Sequence, residues 1–142
     1  HPGKFLAPAN QFFLFLCKIK HEVNIMSFKV IVTGSRTFND YENLHHTLNY
    51  LLQECQGITI ISGDAQGADQ LGTRYAEAKG YKVMHFPANW QKYGKSAGYK
   101  RNEEMAKHAD ALVAFWDGKS KGTKHMIDIA TKKNLKSRVI RF

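Results

Sequence analysis

Four stretches of this 142-residue chain carry residues suited to holding an anion. The first is Gly34-Ser35-Arg36. A glycine permits a tight turn, a serine can bond a phosphate, and an arginine can grip one with two parallel hydrogen bonds or stack on a base. A turn with a surface arginine would read the same way. The second stretch, ITIISGDAQGAD over 58–69, breaks a β-branched run at Ser62-Gly63 and starts a helix pattern at Gly67-Ala68-Asp69. Strand, glycine-bearing turn and helix start together form a phosphate-binding layout, because the first N–H groups of the helix face the anion. The stretch lacks the Gly-Lys-Ser/Thr ending of a Walker loop, and it is not G-x-G-x-x-G.

Two carboxylates sit in that loop. Asp69 falls in the first helical turn, where it suits the helix dipole and can also bond a ribose hydroxyl. Asp64 would repel a phosphate unless a metal or lysine intervened, so ligand contact and turn chemistry stand level as its readings. The third stretch, WQKYGKSAGYKRN over 90–102, mixes aromatic and cationic groups. That mixture suits base stacking with phosphate neutralisation, or else Trp90 and Tyr93 plug the loop onto the core. Arg101 and Asn102 read as a polar anchor pair near a helix start. Glu103 and Glu104 read as first-turn surface acids, one of which could serve as a general acid or base. The fourth stretch, WDGKSKGTKH over 116–125, places Asp117, Gly118, Ser120, Gly122 and Thr123 before a helix. Thr123 could simply cap that helix, and His125 could touch a phosphate or be a surface histidine. The remaining histidines lack ligand spacing. No metal cluster or nucleophilic triad declares itself, so the sequence calls for no metal and no cofactor.

These loops need strands and helices to position them. Phe28 to Thr33, Ile58 to Ile61, Tyr81 to Phe86, Ala109 to Trp116 and Val139-Ile140 read as strands. Tyr41 to Cys55, Gly67 to Lys79, Arg101 to His108 and Thr123 to Lys133 read as helices, while 88–97 shows no clear period. Alternating strands and helices imply an α/β fold: a Rossmann-like doubly wound, mostly parallel five-stranded sheet in the order 3-2-1-4-5, with helices on both faces. Strands 1 and 4 then flank the switch point, where a ligand crevice opens at the strand carboxyl ends.

Length sets a single domain over 26–142. Residues 1–25 read as a disordered extension or a mis-called start, since Met26 immediately precedes the first strand, the alternative being an extra strand or helix on the sheet edge. The formal charge of +9 suits an anionic ligand or a lysine-rich solvated surface, and +7 remains once residues 1–25, with Lys4, Lys18, Lys20 and Glu22, are set aside. Cys17 and Cys55 fit no metal spacing, and so sparse a pair argues against a disulfide scaffold. A cytoplasmic setting is expected. No apolar run is long enough to span a membrane.

The motifs VIVTGSRTF (30–38), ISGDAQGAD (61–69), WQKYGKSAGYKRNEEMA (90–106) and FWDGKSKGTKHMI (115–127) occur in an order that resembles the YspA-like members of the SLOG superfamily. The resemblance covers 26–142 and implies a Rossmann-like nucleotide-binding domain. It implies that Gly34, Ser35, Arg36, Gly63, Gly67, Asp69, Arg101, Asn102, Ser120, Gly122 and Thr123 line the pocket; Asp64, Ala68, Asp117 and Gly118, from the same loops, are read as further ligand-binding candidates. The chain departs from the family's GGARGAD loop at Ser62, Asp64 and Gln66. It also keeps the Gly-Thr of the phosphoribohydrolase signature at 122–123 without the matching glutamate.

The expected function is binding of a nucleotide or nucleotide-derived ligand, as a sensor or regulatory domain. The alternative is an N-glycosidic hydrolase acting on a nucleoside monophosphate, with Arg36 and Arg101 on phosphate and Asp69 or Glu103 assisting departure of the base. A single-stranded nucleic-acid binder like DprA ranks behind both. The expected partners are a nucleotide-like small molecule and further copies of the chain in a homo-oligomer, without a membrane.

Overall fold

The computed structural model describes residues 27–142, and the expectations for 1–25 lie outside the described residues. Five strands form one sheet: β1 (Phe28–Gly34), β2 (Ile58–Ser62), β3 (Lys82–His85), β4 (Ala111–Trp116) and β5 (Lys136–Arg141). Their order is β3-β2-β1-β4-β5, as expected, and every neighbouring pair is parallel. The helices are α1 (Tyr41–Leu51), α2 (Ala68–Lys79), a single turn α3 (Trp90–Tyr93), α4 (Ala97–His108) and α5 (Lys121–Lys132).

Alternation along each strand builds two cores. Val30, Val32, Ile60 and Val113 meet Leu44, Leu48 and Leu51 of α1 and Tyr75 and Ala76 of α2. Ile31, Ile61, Leu112 and Ala114 turn the other way, toward Met105 of α4 and Met126 and Ala130 of α5. The central strands are therefore buried on both faces, which explains their nearly continuous β-branched runs. Cys55 packs against the first core and is disulfide-bonded. Among the described residues, no helix is long and apolar enough to cross a membrane.

Several boundaries differ from the sequence reading. Helix α1 stops at Leu51 rather than reaching Cys55. The stretch 88–97 is not a featureless loop. Asn89 caps α3 by accepting from the Lys92 N–H at 3.0 Å, a 3₁₀ turn follows over Gly94–Ser96, and α4 begins at Ala97. Arg101 and Asn102 thus lie in the second turn of α4, and Glu103 and Glu104 lie near its middle, beyond the reach of an N-terminal dipole. Helix α5 starts at Lys121 with Ser120 in the cap position, so Thr123 sits inside its first turn and is not the cap.

Candidate functional site

The site begins where β1 and β4 end side by side, with Gly34 paired to Phe115. Helix α1 then leaves for one face of the sheet and α5 for the other, which opens a crevice between the loops. Ser35 ties these loops together. Its N–H donates to the Phe115 carbonyl at 2.9 Å, and its Oγ accepts from the Asp117 N–H at 3.1 Å. Gly34 leaves no room for a side chain: a Cβ there would lie 2.1 Å from the Phe115 carbonyl oxygen. Gly67, at φ +79, brings the β2 loop equally close, since its Cβ would lie 2.4 Å from the Ser35 carbonyl oxygen. The loops after β1, β2 and β4 are therefore locked backbone to backbone.

Asp69 holds the β2 loop from inside. Its Oδ1 accepts from Thr33 Oγ1 at 3.0 Å, and its Oδ2 accepts from the N–H groups of Gly63 at 3.1 Å and Ala65 at 3.3 Å. The residue is only 2% exposed. Burial pushes its carboxyl up to about 6, against the opposing pull of those hydrogen bonds and of the Arg101 charge.

Arg101 closes the same loop from the α4 side. Its Nη1 donates to the Gly63 carbonyl and its Nε to Asn102 Oδ1 at 3.2 Å. Burial lowers the Arg101 pKa; the nearby Arg36 charge adds to this, and Asp69 and Asp64 oppose it. Asn102 Nδ2 reaches the Gly122 carbonyl at 3.2 Å and His125 Nδ1 at 3.1 Å. That nitrogen of His125 must accept, so the proton of the neutral ring is assigned to Nε2. Burial lowers the His125 pKa, and the ring stacks on Tyr99 at 4.0 Å.

The β4 loop is fixed by Asp117, whose Oδ1 accepts from the N–H groups of Lys119 and Ser120, each at 2.8 Å. These bonds hold its carboxyl below the usual range. Ser120 Oγ and Thr123 Oγ1 lie 3.1 Å apart, and Ser120 makes no side-chain cap to α5. The opening N–H groups of α5 are left for water or a ligand.

These contacts bring most of the expected residues together. Gly34, Ser35, Arg36, Asp69, Arg101, Asn102, Asp117, Ser120, Gly122 and Thr123 line a crevice of about 400 Å³. Gly63 and Asp64 line an adjoining hollow of about 350 Å³, which shares Arg36, Ala65, Trp90 and Arg101 with the crevice.

Four expected residues stand apart from both. Gly67 packs on the Ser35 and Arg36 backbone, and Ala68 is fully buried with its Cβ against Gly34. Gly118 faces the Arg141 guanidinium. Glu103 opens onto a different hollow, with His85, Tyr93 and Lys100. Sequence reasoning missed Lys95, Gly98 and Tyr99, which line the crevice from the 3₁₀ turn and the first turn of α4. The Asn89 cap and the three-residue spacing of 95, 98 and 101 were the available signals.

Residues 28–93 match the model of the YAcAr family, described as the YspA, cpYpsA-related SLOG family. The Gene 61 protein of Mycobacterium phage D29 is 36% identical over 112 residues, covering 73% of this chain and 89% of the phage protein. This chain belongs to the YspA, cpYpsA-related SLOG family. No solved structure matches it. The YAcAr match spans β1 through α3, so it includes Gly34–Arg36, the Asp69-braced loop and Trp90. The α4 and α5 residues of the crevice lie beyond it.

Proposed function

We propose that this SLOG domain binds a nucleotide or nucleotide-derived ligand in the switch-point crevice and acts as a sensor or regulatory module. One observation carries the reading: Arg36 and Arg101 line the same crevice, close enough for the Arg36 charge to act on Arg101. Arg36 is exposed and forms no ion pair among the described residues. Two guanidinium groups held together gain from an anion placed between them, and a phosphate accepts bidentate bonds from both. Uncapped α5 N–H groups, Ser35 and Thr123 offer further donors. Trp90, at 54% exposure, offers a free ring face for a base rather than a plug in the core.

Calorimetry with a panel of nucleotides, NAD and ADP-ribose derivatives tests this reading. Micromolar binding of a member supports it, and no binding at millimolar concentration defeats it. A homo-oligomeric state and a cytoplasmic location belong to the same proposal, and sedimentation velocity and cell fractionation test them. Strong, salt-dependent binding of single-stranded DNA with no nucleotide binding would instead favour the nucleic-acid reading.

N-glycoside hydrolysis is a second reading, favoured by a crevice carboxyl whose pKa burial pushes up to about 6. Both oxygens of Asp69 already accept hydrogen bonds from the protein, and Glu103 faces another hollow, so an acid would have to be released from the loop to act. Free base release from a nucleoside monophosphate, abolished by Asp69→Asn, is the result that would establish it.

A further inference from the structure

We propose that the hollow beside Gly63 and Asp64 is the nucleoside end of the site. Asp64 is then its specificity residue, accepting a hydrogen bond from a sugar hydroxyl. The assignment rests on the nucleotide reading above and adds which end of the ligand goes where.

Asp64 occupies a left-handed backbone conformation, φ +59, that L-residues rarely adopt. Its carboxylate is tethered on one side only. Oδ1 meets His85 Nδ1 at 2.7 Å and Ser62 Oγ at 3.4 Å, and the Asp64 N–H donates to Ser62 Oγ at 3.1 Å. Oδ2 has no hydrogen-bond partner among the described residues. The tether comes from the paired ends of two adjacent strands, since Ser62 and His85 are in register. The carboxylate is therefore held at the wall of the hollow, with one oxygen left to accept.

A spare carboxylate oxygen repels a phosphate and attracts a neutral donor. In the neighbouring crevice Asp69 is engaged on both oxygens, by Thr33 and two backbone N–H groups, and Asp117 takes two backbone N–H groups on Oδ1. The crevice also holds the uncapped N–H groups that open α5 and the hydroxyls of Ser35, Ser120 and Thr123, so the phosphate end belongs there and the uncharged end beside Asp64. Arg36 and Arg101 stand at the junction of the two spaces, where the phosphate joins the sugar, and Trp90 borders both. About 350 Å³ lies within the range of small-ligand pockets.

The test is calorimetric titration of the four ribonucleoside 5′-diphosphates and their 2′-deoxy and 3′-deoxy forms. The proteins are the full chain, Asp64→Gly, which suits the left-handed backbone, and Asp64→Asn, which keeps the shape. A hydrogen bond to a charged acceptor corresponds to about tenfold or more in affinity. The wild type should favour the ribo form over at least one deoxy form by about tenfold. Asp64→Gly should bring that ratio to within about twofold, with Asp64→Asn in between. Equal binding of ribo and both deoxy forms by the wild type overturns the assignment, as does a preference that survives Asp64→Gly. Both of those outcomes leave the nucleotide reading standing. Absence of binding by every nucleotide removes that reading and this assignment together.

Discussion

Thr33 Oγ1 donates to Asp69 Oδ1 at 3.0 Å, joining the end of β1 to the first turn of α2 across 36 residues of sequence. With the Gly63 and Ala65 N–H groups on Oδ2, this bond makes one buried carboxyl the brace of the whole β2 loop. Because burial raises the folded-state pKa to about 6 from 3.8, the unfolded chain gives up this proton first as pH rises. The stabilising contribution is full below about pH 4 and is lost as pH climbs through about 6. Two pKa units correspond to about 3 kcal/mol. Asp69→Asn can accept from both N–H groups and donate to Thr33, and it does not titrate. Urea unfolding of both proteins from pH 4 to pH 7.5 should show the wild type losing about 3 kcal/mol relative to the variant. Parallel pH profiles would count against a raised pKa.

Gly67 should tolerate no side chain. A Cβ at φ +79 is strained and would sit 2.4 Å from the Ser35 carbonyl oxygen and 2.6 Å from that of Arg36. Backbone cannot yield as a side-chain tip can, so Gly67→Ala should cost about 2–4 kcal/mol in urea unfolding. A loss under about 0.5 kcal/mol would mean that the two loops are not locked together.

The two crevice arginines should separate on stability. Arg36 is exposed and has no ion-pair partner among the described residues, so Arg36→Ala should leave the unfolding free energy within about 0.5 kcal/mol. Arg101 holds the Gly63 carbonyl and Asn102, so Arg101→Ala should cost about 1–3 kcal/mol. Chemical denaturation of the pair tests this, and equal losses would contradict it.

Trp90 should behave as a ligand platform. With over half its surface exposed, Trp90→Ala should change stability by less than about 1 kcal/mol. Loss of stacking should weaken nucleotide binding by about 1–3 kcal/mol, roughly 5- to 150-fold. Unfolding and calorimetric titration together decide. A large stability loss with no affinity loss would return Trp90 to a packing role.

The sheet was legible because its information is local. Phe28–Gly34, Ile58–Ser62 and Ala111–Trp116 are short apolar runs ended by turns, and crossover handedness leaves few ways to order them. Ser35, Arg36 and Thr123 were legible for the same reason, since loop position follows from strand ends. The start of α4 was not, because Gly94, Lys95, Ser96 and Gly98 show no apolar period and Ala97 alone is buried there. Lys95 and Tyr99 were lost with it. The engagement of Asp69 was hidden as well. Its partners Thr33 and Arg101 are distant in sequence, so the bracing of the β2 loop by this crevice residue could not be read from its neighbours. Glu103 was misplaced because helix phase, which depends on the true start at Ala97, decides which hollow it faces.

The central claim is that Arg36 and Arg101 together hold the anionic part of a nucleotide-like ligand. Calorimetric titration of wild type and Arg36→Ala with the nucleotide panel tests it most directly. Saturable micromolar binding by the wild type, weakened about 10- to 100-fold in an equally stable Arg36→Ala, is the predicted result. Equal affinity in the two proteins, or no binding by the wild type at millimolar ligand, would contradict it.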